Sequence, residues 1–230
     1  VITGSCLQSS QDALSIARTY PGQVYATAGL HPHHATDYDT AHEQAFRALA
    51  AEPEVRALGE AGLDFFRDFS PRPDQEKAFV AQLELAAELN KPVFLHQRDA
   101  HDCFMPILDH YLDHLPAAVV HCFTGSEAEL NDYLQRDLHI GITGWICDER
   151  RGQHLKAIVK RIPTNRLMIE TDAPYLLPRT ICPKPGSRRN EPAYLSYVLQ
   201  TVSEATGRPL QELAEQTTQT ARDFFAIDSD

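Results

Sequence analysis

The sequence predicts an α/β fold, a (β/α)8 barrel of parallel strands from which the first strand and helix are missing. Three observations carry that expectation. Seven short apolar runs, at 1–3, 24–30, 55–58, 92–95, 117–120, 139–143 and 167–171, each read as a buried strand. Stretches of helical periodicity separate them, and a chain that alternates buried strand with amphipathic helix builds a parallel sheet with helices outside it. The length of 230 residues suits one such barrel, which takes about 200 to 250 residues. A single domain over 1–230 is therefore expected.

The helices can be placed in order. Ser9 or Ser10 can cap a helix that runs toward Arg18 and stops at Pro21-Gly22. Thr40 with Glu43 has the spacing of a capping box for the segment to Ala51. Pro73 suits a first helical turn, followed by Phe79, Leu83 and Ala87 on one stripe, with a stop near Asn90-Lys91-Pro92. Ser126 with Glu129 forms a second box, for a helix through Leu130 and Leu134. Pro192 opens a helix bearing Leu195, Leu199 and Val202 that Gly207 closes. These stripes are core. Two segments read as loops: 65–72, placed to form one wall of the barrel mouth, and 173–191, which holds Arg179, Lys184, Arg188 and Arg189.

Composition sets bounds on function. Hydrophobic residues make up 43% and charged residues 23%, and no apolar run approaches the ~20 residues that cross a bilayer, so a membrane protein is not expected. The cysteines, Cys6, Cys103, Cys122, Cys147 and Cys182, are odd in number and lack a C-x-x-C pair, which argues against a disulfide framework or zinc ribbon and for a reducing cytoplasm. A net charge of -11 disfavours nonspecific attraction to polyanions, so nucleic-acid binding would have to rest on a local basic patch or on bound cations. The sequence opens at Val1 inside an apolar strand, and seven strands fall one short of eight; the missing strand and helix are expected before Val1.

Five runs end in residues capable of chemistry: His31, Glu60, His96, His121 and Asp172. In a parallel barrel the C-terminal strand ends meet at one mouth, so these side chains would converge. Singly, each has a plainer reading: a strand-end histidine is as often a hydrogen-bonded core residue, and a strand-end acid is often a helix cap. A helix cap does not explain histidines at the two intervening strand ends, whereas a metal site does. Imidazole suits zinc, manganese, iron or nickel, while carboxylate is what magnesium accepts, so the donor set leaves the metal open. Glu60 has two oxygens and can bridge ions about 3.5 to 4 Å apart, as in two-metal phosphoryl hydrolysis.

The segments Gly29-Leu-His-Pro-His33, Gly59-Glu-Ala-Gly-Leu-Asp-Phe65, Phe94-Leu-His-Gln-Arg-Asp-Ala100, Val119-Val-His-Cys-Phe-Thr-Gly125, Ile169-Glu-Thr-Asp-Ala-Pro-Tyr175 and Arg189-Asn-Glu-Pro192 follow one another in a specific series. The series resembles that of the TatD family of metal-dependent deoxyribonucleases, within the amidohydrolase-like metal hydrolases. The stretch from Gly141 to Gly152 resembles the TatD branch proper. The resemblance implies that Glu60 is the bridging ligand, that His96 and His121 bind one ion, and that Asp172 binds the other and handles the attacking water. It makes Glu60 and Asp172 the catalytic pair and His31 a substrate-side histidine. His33 fits the same motif as a phosphate contact or a mere loop residue. Asp64 would orient a ligand rather than touch metal. Arg98 and Arg189 would grip phosphate or form structural ion pairs. The family also draws metal contacts from strand one, often as a His-x-His pair, and that strand is absent here.

The activity implied is metal-dependent hydrolysis of DNA phosphodiester bonds, as a 3′-5′ exonuclease on single strands or strand ends, with RNA as a further substrate. Two divalent ions are implied, magnesium first, with manganese or zinc as alternatives. The protein is expected to be monomeric and to work without a membrane, in DNA repair or degradation. The same barrel and ligands also serve hydrolases of small amides, lactones or phosphoesters, and a non-enzymatic scaffold with a relic site is a third reading.

Overall fold

A computed structural model describes residues 1–227. Parallel neighbours need a crossover between them, and the elements alternate accordingly. The first of two compact units, Val1–Val119, contains α1 (Leu7–Thr19), β1 (Ala26–Ala28), α2 (Thr40–Ala50), β2 (Val55–Asp64), α3 (Arg72–Leu89), β3 (Val93–Arg98) and α4 (His101–Asp109). Strand β4 (Ala118–Val120) lies where the chain passes to the second unit. That unit carries α5 (Glu127–Gln135), β5 (His139–Ile142), α6 (Gln153–Ile158), β6 (Leu167–Ile169), α7 (Leu195–Thr206) and α8 (Leu210–Phe225). Neighbours follow chain order, β1-β2-β3 in the first unit and β5-β6 in the second. The measured pairings β1 with β2, β2 with β3 and β5 with β6 are all parallel.

Among the described residues six of the seven apolar runs become strands. The run 1–3 does not: Ile2 makes one parallel bridge to Ala26, its N–H donating to the Tyr25 carbonyl while its own carbonyl accepts from Thr27. Strand β2 runs six residues past its apolar run, because the ladder is held by backbone groups and continues under polar side chains. Glu60 and His96 therefore sit inside strands, with Gly62 opposite His96 and Asp64 opposite Arg98.

Two caps differ from the sequence expectation. The N-cap of α1 is Cys6, with Ser9 in the third helical position closing a reciprocal box. For α2 it is Asp39, whose carboxylate accepts from the His42 N–H at 2.9 Å. Asp is at least as good a cap as Thr and meets the helix one residue earlier. The Ser126–Glu129 box and the left-handed ends at Asn90 and Gly207 are as expected. Leu134, Leu195 and Leu199 are only half-buried; Tyr133, Val198 and Val202 take the core positions. Helices α4, α6 and α8 had no sequence assignment. In α8 the buried face includes Thr217 and Thr220, whose hydroxyls donate to the Leu213 and Gln216 carbonyls at 2.9 Å each. Threonines satisfied by their own helix behave as small apolar residues, and this hid the stripe.

Helix α3 supports the site most directly. Phe79 is fully buried and stacks on Phe104 of α4, with ring centroids 5.0 Å apart. One turn on, the buried Gln82 grips backbone: its Oε1 accepts from the Leu30 N–H at 2.7 Å and its Nε2 donates to the Leu30 carbonyl at 3.0 Å. Gln75 does the same at Asp64, accepting from its N–H at 2.8 Å and donating to its carbonyl at 3.3 Å. Gln82→Leu would leave two buried backbone groups unpaired beside His31. The expected cost is about 2 to 4 kcal/mol, read as a fall in the urea midpoint, and an unchanged midpoint would show that Gln82 does not hold this turn. Among the described residues no helix is long and apolar enough to cross a membrane.

Candidate metal centre

In the first unit β2, β3 and the turn that follows β1 bring five of the expected residues together, His31, His33, Glu60, Asp64 and His96. His31 caps a short turn in which its Nδ1 accepts from the His33 N–H at 3.1 Å, which aims Nε2 at the strands. His31 Nε2 lies 3.3 Å from Glu60 Oε1 and 3.3 Å from His96 Nδ1, and His96 Nδ1 lies 2.9 Å from the same Glu60 oxygen. One donor atom from each of these residues falls within 4.8 Å of the others. Imidazole and carboxylate donors at that spacing fit a divalent ion.

Electrostatics sets the protonation of these groups. Burial lowers His31 to about 4 against the opposing pull of Glu60, so its ring is neutral near pH 7. A neutral imidazole that accepts through Nδ1 carries its proton on Nε2 and can donate there. Asp64 is almost wholly buried. Burial alone would raise its pKa, yet hydrogen bonds from His96, the Arg67 N–H and His33 hold the carboxyl below the usual carboxylate range. Its Oδ2 meets His33 Nε2 at 2.8 Å and His96 Nε2 at 3.3 Å, while Oδ1 accepts from the N–H groups of Phe66 at 3.1 Å and Arg67 at 2.8 Å. Asp64 thus holds one edge of His96 and leaves Nδ1 facing Glu60, an orienting position.

In the second unit His121 follows β4, and a residue without a sequence assignment holds it. Glu170, directly after β6, places Oε2 at 3.5 Å from His121 Nδ1, and its Oε1 accepts from the Cys122 N–H at 2.6 Å. A Cβ on Gly141 would lie 2.0 Å from Glu170 Oε1, so the bare glycine makes room for the carboxylate. Burial pushes the Cys122 thiol up to about 12, and the charges of Asp172 and Glu170 act on it in the same sense. Asp172 has a left-handed backbone, φ 55°, and its carbonyl accepts from the Tyr175 N–H at 2.8 Å. The signal that could have found Glu170 is its place as the first polar residue after Leu167-Met-Ile169, within the run read as 167–171. We expect Glu170→Gln to lower divalent-ion affinity roughly 10- to 100-fold, as loss of a ligand-orienting carboxylate does, and calorimetric titration of ion would measure it. Affinity within twofold of the parent would remove that role.

The arginines divide. The Arg98 guanidinium lies over the Phe66 ring, 3.9 Å from its centroid. Arg189 is exposed, and its N–H donates to Ser187 Oγ at 3.1 Å. Beside it, buried Asn190 ties the 173–191 loop down by donating from Nδ2 to the Thr171 carbonyl at 2.8 Å. Arg179 is paired with Glu149 at 2.5 and 2.7 Å, the structural reading of a loop cation.

The chain is 52% identical over 227 residues to a protein of Escherichia fergusonii named 3′-5′ ssDNA/RNA exonuclease TatD, covering 99% of this chain and 87% of the relative. The protein of that name from Escherichia coli K12 is 51% identical with the same coverage. Among solved structures, a TatD homologue of Escherichia coli K12 superposes with a TM-score of 0.88 at 26% identity, covering 98% of this chain and 85% of that one. A hydrolase TatD family protein from Entamoeba histolytica gives a TM-score of 0.86 at 25% identity, with 96% and 82% covered. The α/β barrel class expected from the sequence is the one these neighbours share. The sequence model of the family described as TatD related DNase matches residues 1–226, and the chain belongs to that family.

Proposed function

We propose that this protein is a metal-dependent 3′-5′ exonuclease that removes nucleotides from single-stranded DNA and RNA. The observation that carries the reading is the approach of Glu60 Oε1 to His96 Nδ1 at 2.9 Å with His31 Nε2 beside them at 3.3 Å, in a chain whose half-identical relatives bear that activity in their name. We assign metal ligation to Glu60, His96, His121 and Asp172, and take the ions to be two, magnesium first and manganese or zinc as alternatives. Divalent ions held there would lower the pKa of water and offset charge on the scissile phosphate.

The remaining chemistry belongs to the chain. Glu60 offers two carboxylate oxygens, enough to share between ions. Asp172 serves as acceptor for the proton of the attacking water. His31, with Nδ1 occupied by the His33 N–H, presents an Nε2 proton to a phosphate oxygen, which favours its substrate-side role over ligation. His33, Arg98 and Arg189 are further candidates for phosphate contact, and Asp64 and Glu170 hold the ligating histidines in place. Divalent ions would also answer the -11 charge of the chain, by concentrating positive charge where phosphate binds. We take 1–230 to act as one hydrolase domain, supported by a single family match over 1–226. We also take it to be a monomer acting in DNA repair or degradation, and the five free thiols fit a reducing cytoplasm.

Release of labelled nucleotide from a 3′-labelled single strand tests the proposal. Chelator should abolish it and added magnesium restore it; equal release in chelator, or hydrolysis of small lactones and esters in preference to the strand, would overturn it.

A further inference from the structure

The loop after Asp64 displays large aromatic rings to solvent, where burial would be the cheaper state. Phe66 is 52% exposed and Phe69 is 68% exposed, in a chain that buries most of its other phenylalanines. Neither is a stray surface residue. The Arg98 guanidinium stacks on Phe66 at 3.9 Å from the centroid, and Arg67 reaches the same ring at 5.5 Å. Phe69 packs on the His33 ring at 4.7 Å, His33 touches His31 at 4.1 Å, and His31 touches His96 at 4.4 Å, so an unbroken row of rings leads from the exposed Phe69 into the metal centre.

The loop is also fixed. Asp64 accepts from the Phe66 and Arg67 N–H groups with the carboxylate that holds His33 and His96. Phe65 donates its N–H to the Arg98 carbonyl at 2.9 Å. At the far end the Ser70 hydroxyl donates to the His33 carbonyl at 3.0 Å. Exposed rings on a loop tied at both ends to a reaction centre are held ready for a ligand.

We propose that Phe66 and Phe69, with the Arg98 guanidinium on Phe66, form a base-stacking platform for the unpaired nucleotides at the 3′ end of the strand. The inference rests on the nuclease reading and deepens it by naming what selects the substrate. A base in a duplex has both faces covered by its neighbours; an unpaired base offers a π-face to an aromatic ring or a guanidinium plane. Every base has such a face and none presents the 2′ position through it, so the platform accepts DNA and RNA alike and tolerates sequence. It also suits a chain of net charge -11, because stacking draws little on phosphate attraction.

Equilibrium binding separates this from the nuclease reading. The probe is a 5′-fluorescent oligothymidylate with phosphorothioate linkages at its 3′ end, compared by anisotropy in magnesium with the same strand made abasic over its last three nucleotides. The parent should bind the base-bearing strand about 5- to 150-fold more tightly, the range for one stacked base. The double variant Phe66→Ala with Phe69→Ala should bind both strands equally, as should the pair of Leu substitutions, which keep apolar bulk without a π-face. The pair of Trp substitutions should keep the preference. Both rings are exposed, so thermal midpoints should stay with the parent. Equal binding of the two strands by the parent, including no binding to either, or a preference that survives the Ala and Leu variants, overturns the platform. A base preference without nucleotide release would leave the platform standing and overturn the nuclease reading instead.

Discussion

Replacing Glu60 with glutamine should cut nucleotide release about a thousandfold while leaving the fold intact. One oxygen of the carboxylate lies 3.3 Å from His31 Nε2 and 2.9 Å from His96 Nδ1. Glutamine keeps the length and one oxygen, but it removes the negative charge and exchanges the second oxygen for an amide NH2, which donates hydrogen bonds and cannot ligate a cation. An interaction that supplies several kcal/mol of transition-state stabilisation is worth roughly two to four powers of ten in rate. Folding should hardly notice, since glutamine has the same shape and β2 is held by its ladder and by the Glu60 N–H donating to the Gly4 carbonyl at 2.8 Å. Single-turnover release from a 3′-labelled strand measures the first effect; circular dichroism and the thermal midpoint measure the second. A rate within tenfold of the parent, with the protein folded, would remove Glu60 from the chemistry.

A methyl group at Gly62 should do the reverse and damage the fold first. A Cβ there would lie 1.9 Å from the His96 carbonyl oxygen and 2.9 Å from its carbon, both rigid backbone atoms, and the residue holds φ +148°, which L side chains rarely adopt. Gly62 and His96 are register partners, so β2 and β3 would have to part where both carry site residues. Steric overlap and backbone strain of this kind cost about 1 to 3 kcal/mol each. Together they should lower the midpoint of a chain this size by roughly 5 to 20 °C. Gly186→Ala is the control, because nothing lies within 4 Å of a Cβ there. A midpoint for Gly62→Ala within a degree or two of that control would show that the strands can yield.

What could be read from the letters was chemistry with a local signature. Strand-end histidines and acids stand out because polar side chains after an apolar run need a reason, and His31, Glu60, His96, His121 and Asp172 were all visible in that way. Glu170 is not singled out by position, since Asp172 two residues on is an equally plain strand-end acid; the 3.5 Å approach of Glu170 to His121 emerges only in the structure. Gln75 and Gln82 carried no signal, since a glutamine in a helix reads as surface until its partners are known. Both are buried, and both spend their amides on backbone. The cap of α1 escaped for a related reason: a cysteine becomes a capping residue only when Ser9 returns the hydrogen bond.

The sequence by itself determined the α/β alternation, the family and the residue types able to hold divalent ions, because apolar periodicity and strand-end polarity are properties of neighbours along the chain. Only the tertiary structure decided that β2 and β3 run on past their apolar stretches, that Asp64 joins His33 and His96 to the loop bearing Phe66, and that Phe66 and Phe69 stand open to solvent. Those facts depend on which distant groups complete each hydrogen bond and cover each ring, and pairing across space leaves no mark in a single chain of letters.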